Sequence, residues 1–215
     1  ALLGLAIGDA VGTTLEFKAR DTYPLLMDMV GGGPFGLKAG QWTDDTAMAL
    51  ALADSLADQD GLNEQDLLSH FTAWWRDGVY SCTGHCFDIG STTAQALRRW
   101  ERSGEDYCGS ADQQSAGNGS LMRLAAVAIR YWNDRSNLRD AAARQSKTTH
   151  AAPEAVDACV LYAEMIADAI AGRPRSEVLA SREWAWSGGV QTVNNGSWRG
   201  KARQQVNATG YVVHS

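Results

Sequence analysis

The sequence predicts an all-α protein, a single compact domain built from many helices. Three observations predict it. Apolar residues recur at helical spacing in one stretch after another, convincing alternation of apolar and polar side chains is absent, and no internal repeat or low-complexity segment points to another architecture. A chain of 215 residues is long enough to bury one sizeable core. Its 45% apolar and 20% charged residues are those of an ordinary globular protein. The net charge of −6 argues against a nucleic-acid partner, which would select a basic face. No apolar run approaches the ~18 residues of a membrane span.

In chain order, Leu2 to Phe17 reads as an apolar helix ending in a turn. Gly4, Gly8 and Gly12 fall on one side of it at i, i+4 spacing, which predicts close approach of another helix. The segment does not read as a secretory leader: it lacks a basic start, meets Asp9 early and offers no clear cleavage site. Glu16 follows between Leu15 and Phe17, either as a solvated helix-end charge or as a site acid. A glycine-rich loop, Gly31-Gly32-Gly33-Pro34 and then Gly40, leads to Trp42-Thr43-Asp44-Asp45-Thr46-Ala47-Met48. Thr43 can cap a helix running to about Leu56, and Asp44 and Asp45 suit the positive end of its dipole. One aspartate would cap as well as two, however, and two carboxylates with a hydroxyl are the oxygen ligands of a hard divalent cation. Both readings stand on the residues alone.

Asp58-Gln59-Asp60-Gly61 is a polar turn, and Asn63 caps the next helix, with Leu67, Leu68, Phe71, Trp74 and Trp75 at helical period. Ser91, Thr92 or Thr93 is expected to cap the helix carrying Ala96, Leu97 and Trp100. Asp88, between Phe87 and Ile89, has the same two readings as Glu16. Ser115-Ala116-Gly117-Asn118-Gly119-Ser120 opens a predicted helix over Leu121 to Tyr131, either as a simple glycine turn or as a cradle of backbone N–H groups for a phosphate. It is neither a Walker loop nor a dinucleotide fingerprint. Helices over Arg139 to Lys147 and Glu154 to Ala171 flank His150, and beyond Gly172 the chain becomes irregular. Cys82, Cys86, Cys108 and Cys159 lack zinc spacing and are expected to be free thiols in a reducing cytoplasm.

Four motifs then occur in order: Gly-Asp-Ala-Val-Gly with Glu16, Trp-Thr-Asp-Asp-Thr-Ala-Met, Ser-Ala-Gly-Asn-Gly-Ser-Leu-Met-Arg, and Thr-His-x-x-Pro-x-x-x-x-Ala. Together they resemble the ADP-ribosylglycohydrolase family across essentially the whole chain. Cys-Phe-Asp-Ile-Gly followed by Thr92-Thr93 looks most like its bacterial dinitrogenase reductase-activating branch. The resemblance implies an all-helical hydrolase that removes ADP-ribose from a modified protein side chain, with arginine the expected acceptor, using two divalent cations, Mg²⁺ or Mn²⁺. It implies Thr43, Asp44 and Asp45 as metal ligands, and Glu16, Asp45 and Asp88 as the catalytic carboxylates. Ser115, Gly117, Asn118, Gly119 and Met122 would line the ADP-ribose pocket, with His150 nearby and Tyr211 at its border, and Asp88 would meet the guanidinium.

The family's second acidic loop, the other half of its ligand set, has no counterpart after Ala208. The chain is therefore expected to be incomplete at both ends, since it begins without Met and a helix cut after one turn would expose Val212 and Val213. Alternatives are a catalytically inactive ADP-ribose-binding module, a purely structural relative, or another acceptor such as ADP-ribosyl-serine.

Overall fold

The computed structural model describes all 215 residues and contains nine α-helices and no sheet. They are α1 (Leu2–Gly12), α2 (Asp44–Asp58), α3 (Glu64–Asp77), α4 (Ser91–Ser103), α5 (Ala125–Tyr131), α6 (Arg135–Lys147), α7 (Pro153–Ile170), α8 (Arg175–Val178) and α9 (Gly188–Asn194). The predicted all-α class is what the chain adopts.

The longest helix, α7, is the hub. It packs on α5, α6, α8 and α9, while α2 joins α1, α3 and α5. Its sequence explains the position: Ala155, Cys159, Ala163 and Ala167 give it a small, fully buried face that lets neighbours approach closely, and Pro153 starts it where no N–H is needed. One cluster of 29 buried apolar residues forms the core, anchored by Met48 and Leu52 of α2 and by Phe71 and Trp74 of α3. Truncating either aromatic to alanine would remove about 3–5 kcal/mol. As expected, Asn63 caps α3, its side chain accepting from the Asp66 N–H at 3.1 Å.

Buried carboxylates in this framework are answered by arginines. Glu64 of α3 takes Arg144 of α6 at 2.6 Å and the Tyr107 hydroxyl at 2.8 Å. On α7, Glu164 is paired with Arg139 and Arg182, and Asp168 with Arg135, Arg173 and Arg182. Burial raises the Glu64 carboxyl, but the Arg144 and Tyr107 hydrogen bonds outweigh it and hold the group below its usual range.

Several local expectations are corrected. Helix α1 stops at Gly12 and tightens into a 3₁₀ turn, Thr13–Leu15, which ends at Glu16. Its glycine side receives no helix, because a methyl added at Gly4, Gly8 or Gly12 would meet nothing within 4 Å. That side instead borders a cavity of about 960 Å³ between α1, α5, α7 and α9. Helix α4 begins after Gly90 with no side-chain cap, so none of Ser91, Thr92 and Thr93 caps it. Helix α5 starts only at Ala125, after non-helical turns over 121–124. Val212 is not exposed but buried in the core, where its N–H donates to the Ala116 carbonyl at 3.0 Å, and Val213 packs against the same core.

Candidate active site

The start of α2 is held by Asp9, a residue with no predicted role. Thr43 occupies the cap position, but its side chain makes no capping bond. Asp9, reaching across from α1, does the capping instead. Its Oδ1 accepts from the Thr43 N–H at 3.0 Å and from the Thr43 hydroxyl at 2.8 Å, and its Oδ2 accepts from the Thr46 N–H at 3.1 Å and from the Thr46 hydroxyl at 2.6 Å. A remote carboxylate thus meets the positive end of α2, and Thr43 spends its proton on Asp9 while keeping its lone pairs. A carboxylate set in an otherwise apolar helix was the signal for Asp9, but its partner lies 34 residues away.

The preceding segment fastens this helix start to the next acidic loop. The Trp42 indole N–H donates to the Tyr80 carbonyl at 3.0 Å, and the Gln41 amide donates to the Cys82 carbonyl at 3.2 Å. Gly78, at the left-handed end of α3 (φ 71°), lies against the backbone of Gly84 and His85 and so sets the path towards Asp88. Asp88 itself is left-handed (φ 60°), as is Phe17 (φ 59°) directly after Glu16. For a phenylalanine this conformation is strained, and such strain concentrates at functional sites.

Asp9, Glu16, Asp44, Asp45 and Asp88 thereby form one electrostatic cluster. Burial and then repulsion from Asp45 and Asp88 push the Asp44 carboxyl well above its usual range. Burial, followed by Asp9 and Glu16, pushes Asp45 up to about 7. Glu16 rises to about 7 through burial and the charge of Asp88, with which it shares a hydrogen bond, and Asp88 rises to about 6, chiefly through burial. None of the five takes part in any ion pair of the protein. The contrast with Glu64, Glu164 and Asp168 is sharp: the fold supplies arginines to its structural carboxylates and none to these.

The second predicted loop meets the first. Asp9, Asp45, Asn118 and Met122 line the same 960 Å³ cavity, whose remaining wall is mostly apolar. Within the Ser115–Ser120 loop, Gly117 donates to the Ser115 carbonyl at 2.8 Å and Asn118 to the Gly210 carbonyl at 3.0 Å, while the N–H groups of Gly119 and Ser120 have no acceptor in the protein. The cradle is therefore smaller than expected and does not lie on a helix N-terminus. Tyr211 bridges to Gly117 and borders the loop. Ser115 faces away into a separate polar pocket of about 230 Å³, its hydroxyl donating to the Asp112 carbonyl at 2.6 Å. His150 is 2% exposed and lies beneath Gly117 and Gly119, in the wall of the loop rather than free in the pocket.

The donor chemistry suits a hard cation in part. Thr43, Asp44 and Asp45 are oxygen donors in a cluster of uncompensated negative charge. Even so, no three His, Cys, Asp or Glu side chains converge closely enough to hold an ion alone. What is present is a partial ligand set.

A many-helix fold with Asp9 and Asp45 in the same cavity as Asn118 fits the ADP-ribosylglycohydrolase class. Comparison with known proteins agrees: a model of the ADP-ribosylglycohydrolase family matches residues 1–215, and the chain belongs to that family. It is 45% identical over 213 residues to ADP-ribosylarginine hydrolase Tri1 of Pseudomonas putida (strain GB-1), covering 99% of this chain and 57% of that protein. It is 38% identical to the protein of the same name from Serratia proteamaculans (strain 568), covering 99% and 58%. The ADP-ribosyl-[dinitrogen reductase] glycohydrolase of Rhodospirillum rubrum is 34% identical over 177 residues, covering 80% of this chain and 58% of that one. A solved structure, an ADP-ribosylglycohydrolase-related protein complex, superposes with a TM-score of 0.85 at 35% identity, covering 99% of this chain and 70% of that one. The chain thus spans under three fifths of the length of these curated relatives. No helix is long and apolar enough to cross a membrane.

Proposed function

We propose that this protein hydrolyses the N-glycosidic bond between ADP-ribose and a modified arginine side chain, with divalent cations as cofactors. One observation carries the reading: Asp9 and Asp45, members of a cluster of five carboxylates with no cationic partner, line the same cavity as Asn118. A half-buried cluster of like charge is costly to keep unless a cation or cationic substrate completes it. The names of the relatives support arginine as the acceptor.

The roles follow from the positions. Asn118 and the free N–H groups of Gly119 and Ser120 would hold the ADP-ribose diphosphate, with Met122 in the cavity wall and Gly117 and Tyr211 bordering the loop. Ser115, on the far side of its loop, would reach only a part of the ligand that extends into the smaller pocket. Asp88 suits a bidentate bond to the guanidinium. Near it run the rings of Phe17, Phe35 and Phe87, with successive centroids 6.2 and 5.2 Å apart, whose faces can attract a cation. Cleavage at ribose C1 develops positive charge on the sugar, which the carboxylates stabilise. As the water oxygen bonds to C1 and the C1–N bond breaks, Asp45 accepts the water proton and the Glu16–Asp88 pair returns a proton to the departing nitrogen. Glu16 and Asp88, raised to about 7 and about 6, can exchange that proton near neutral pH. A divalent cation held by Thr43, Asp44 and Asp45 would supply the polarisation of that water and of the ribose hydroxyls. The four free cysteines suit a reducing, cytoplasmic setting.

A second reading, an ADP-ribose-binding module without hydrolysis, is favoured by one observation: the acidic residues present do not by themselves close around an ion. The two separate in one assay, the release of ADP-ribose from proteins modified on arginine or on serine, with Mg²⁺, Mn²⁺ or EDTA. The expected result is release from arginine, at least about 10²-fold faster with metal than with EDTA. Binding of ADP-ribose without release from either acceptor would place the chain with the binding modules.

A further inference from the structure

Arg123 is a fully buried guanidinium with no carboxylate partner. It follows the Gly119-Ser120-Leu121-Met122 turn and stacks over Phe71, 4.4 Å from the ring centroid. Its Nε donates to the Gln145 side chain at 2.9 Å, and one terminal nitrogen donates to the Gln145 carbonyl at 2.8 Å and to the Thr149 hydroxyl at 3.0 Å. A charge buried without a counterion is expensive and is retained only where its donors are needed.

The Thr149 hydroxyl touches one other group, His150 Nδ1, at 2.8 Å. Arg123 can only donate, so Thr149 receives from it and has a single proton left to place. Both threonine and histidine are buried, and Nδ1 is the sole acceptor within reach. If Nδ1 carried the ring proton, the Thr149 proton would be buried without a partner, a loss of about 1–3 kcal/mol. Nδ1 is therefore the acceptor, and the proton of the neutral ring sits on Nε2. That nitrogen lies under the glycine loop: a methyl built on Gly117 would be 3.5 Å from it and one on Gly119 3.1 Å. It has no partner in the protein, and it is not among the polar atoms sealed from solvent without one. The same loop leaves the N–H groups of Gly119 and Ser120 free.

We propose that Arg123 and Thr149 are positioning residues that lock His150 in its Nε2–H tautomer, presenting one uncharged donor to an anionic or hydroxyl-bearing ligand held over the Gly117–Gly119 loop. The ligand's identity rests on the function proposed above, whereas the tautomer does not depend on it. The lock keeps a donor under the loop without a full charge, so the loop can hold a diphosphate and still release it.

The test is the long-range ¹H–¹⁵N spectrum of the imidazoles at neutral pH, with the His150 signals identified by their loss in His150→Asn, together with calorimetry using ADP-ribose. Wild type should show His150 as pure Nε2–H with a hydrogen-bonded Nδ1. Thr149→Val should shift the Nδ1 resonance and weaken ADP-ribose binding about tenfold, and Thr149→Ser should restore both. An Nδ1–H or mixed tautomer in wild type would overturn the proposal without any variant having to fold. So would a Thr149→Val protein with unchanged spectrum and affinity. A locked tautomer in a chain that binds no ADP-ribose would uphold the positioning pair and overturn the function proposed above.

Discussion

Replacing Asp45 by asparagine is expected to abolish hydrolysis, with at least a 10²-fold loss, while making the metal-free protein more stable. The two effects share one cause. Asp45 is largely buried among Asp9, Glu16, Asp44 and Asp88, and its carboxyl is raised to about 7 in the folded chain. In the unfolded chain it titrates near 4, so between these values the folded state binds more protons and loses stability as pH rises. At pH 8 the ionised side chain disfavours the fold by a few kcal/mol, on the order of 4, and asparagine removes that cost. The gain should shrink as pH falls and vanish below about pH 4, where both side chains are neutral. Urea denaturation in EDTA at pH 8 and pH 4, beside the ADP-ribose release assay, checks both halves. Equal stability of the two proteins at pH 8 would mean that the cluster is not under electrostatic strain.

Gly78→Ala is expected to be the most damaging single methyl in the chain, removing about 3–5 kcal/mol and activity with it. Two costs add. The left-handed backbone at φ 71° costs an alanine about 1–2 kcal/mol. The new methyl would also stand 2.6 Å from the His85 Cα, and closer still to the Gly84 carbonyl. These are backbone atoms, so the loop that carries Asp88 must move. Gly104 is the control: it ends α4 in the same left-handed conformation (φ 68°), but a methyl there meets nothing within 4 Å. Gly104→Ala should cost only the backbone term and leave activity intact, as thermal melts and ADP-ribose release would show.

How far the sequence carried depended on how local each feature is. Helices α2, α3 and α7 were legible because each buries one apolar face at a 3.6-residue period, and the Asn63 cap because it acts three residues along the chain. The conjunction of the Thr43–Asp45 start with the Asn118 loop was legible only by resemblance, since 73 residues separate Asp45 from Asn118. What escaped depends on distant partners. Asp9 caps α2 from another helix, so Thr43 did not need to. Gly4 and Gly8 have the spacing of a helix contact, but nothing in that spacing says whether a helix or a cavity lies opposite. His150 has no local mark of burial; what holds it is the Arg123–Thr149 pair, and the Arg123 side chain comes from 27 residues upstream.

We propose that the α2 acidic start and the Ser115–Ser120 loop act as one site for an anionic ligand. Calorimetric titration of ADP-ribose with and without Mn²⁺, on the wild type and on Asp45→Ala, tests it most directly. A diphosphate brought beside five carboxylates is repelled unless a cation intervenes, so wild type should bind at least about tenfold more tightly with Mn²⁺, and Asp45→Ala should lose that increment. Equal wild-type affinity with and without Mn²⁺ would show that the two loops do not share a ligand, and the account would fail at its centre.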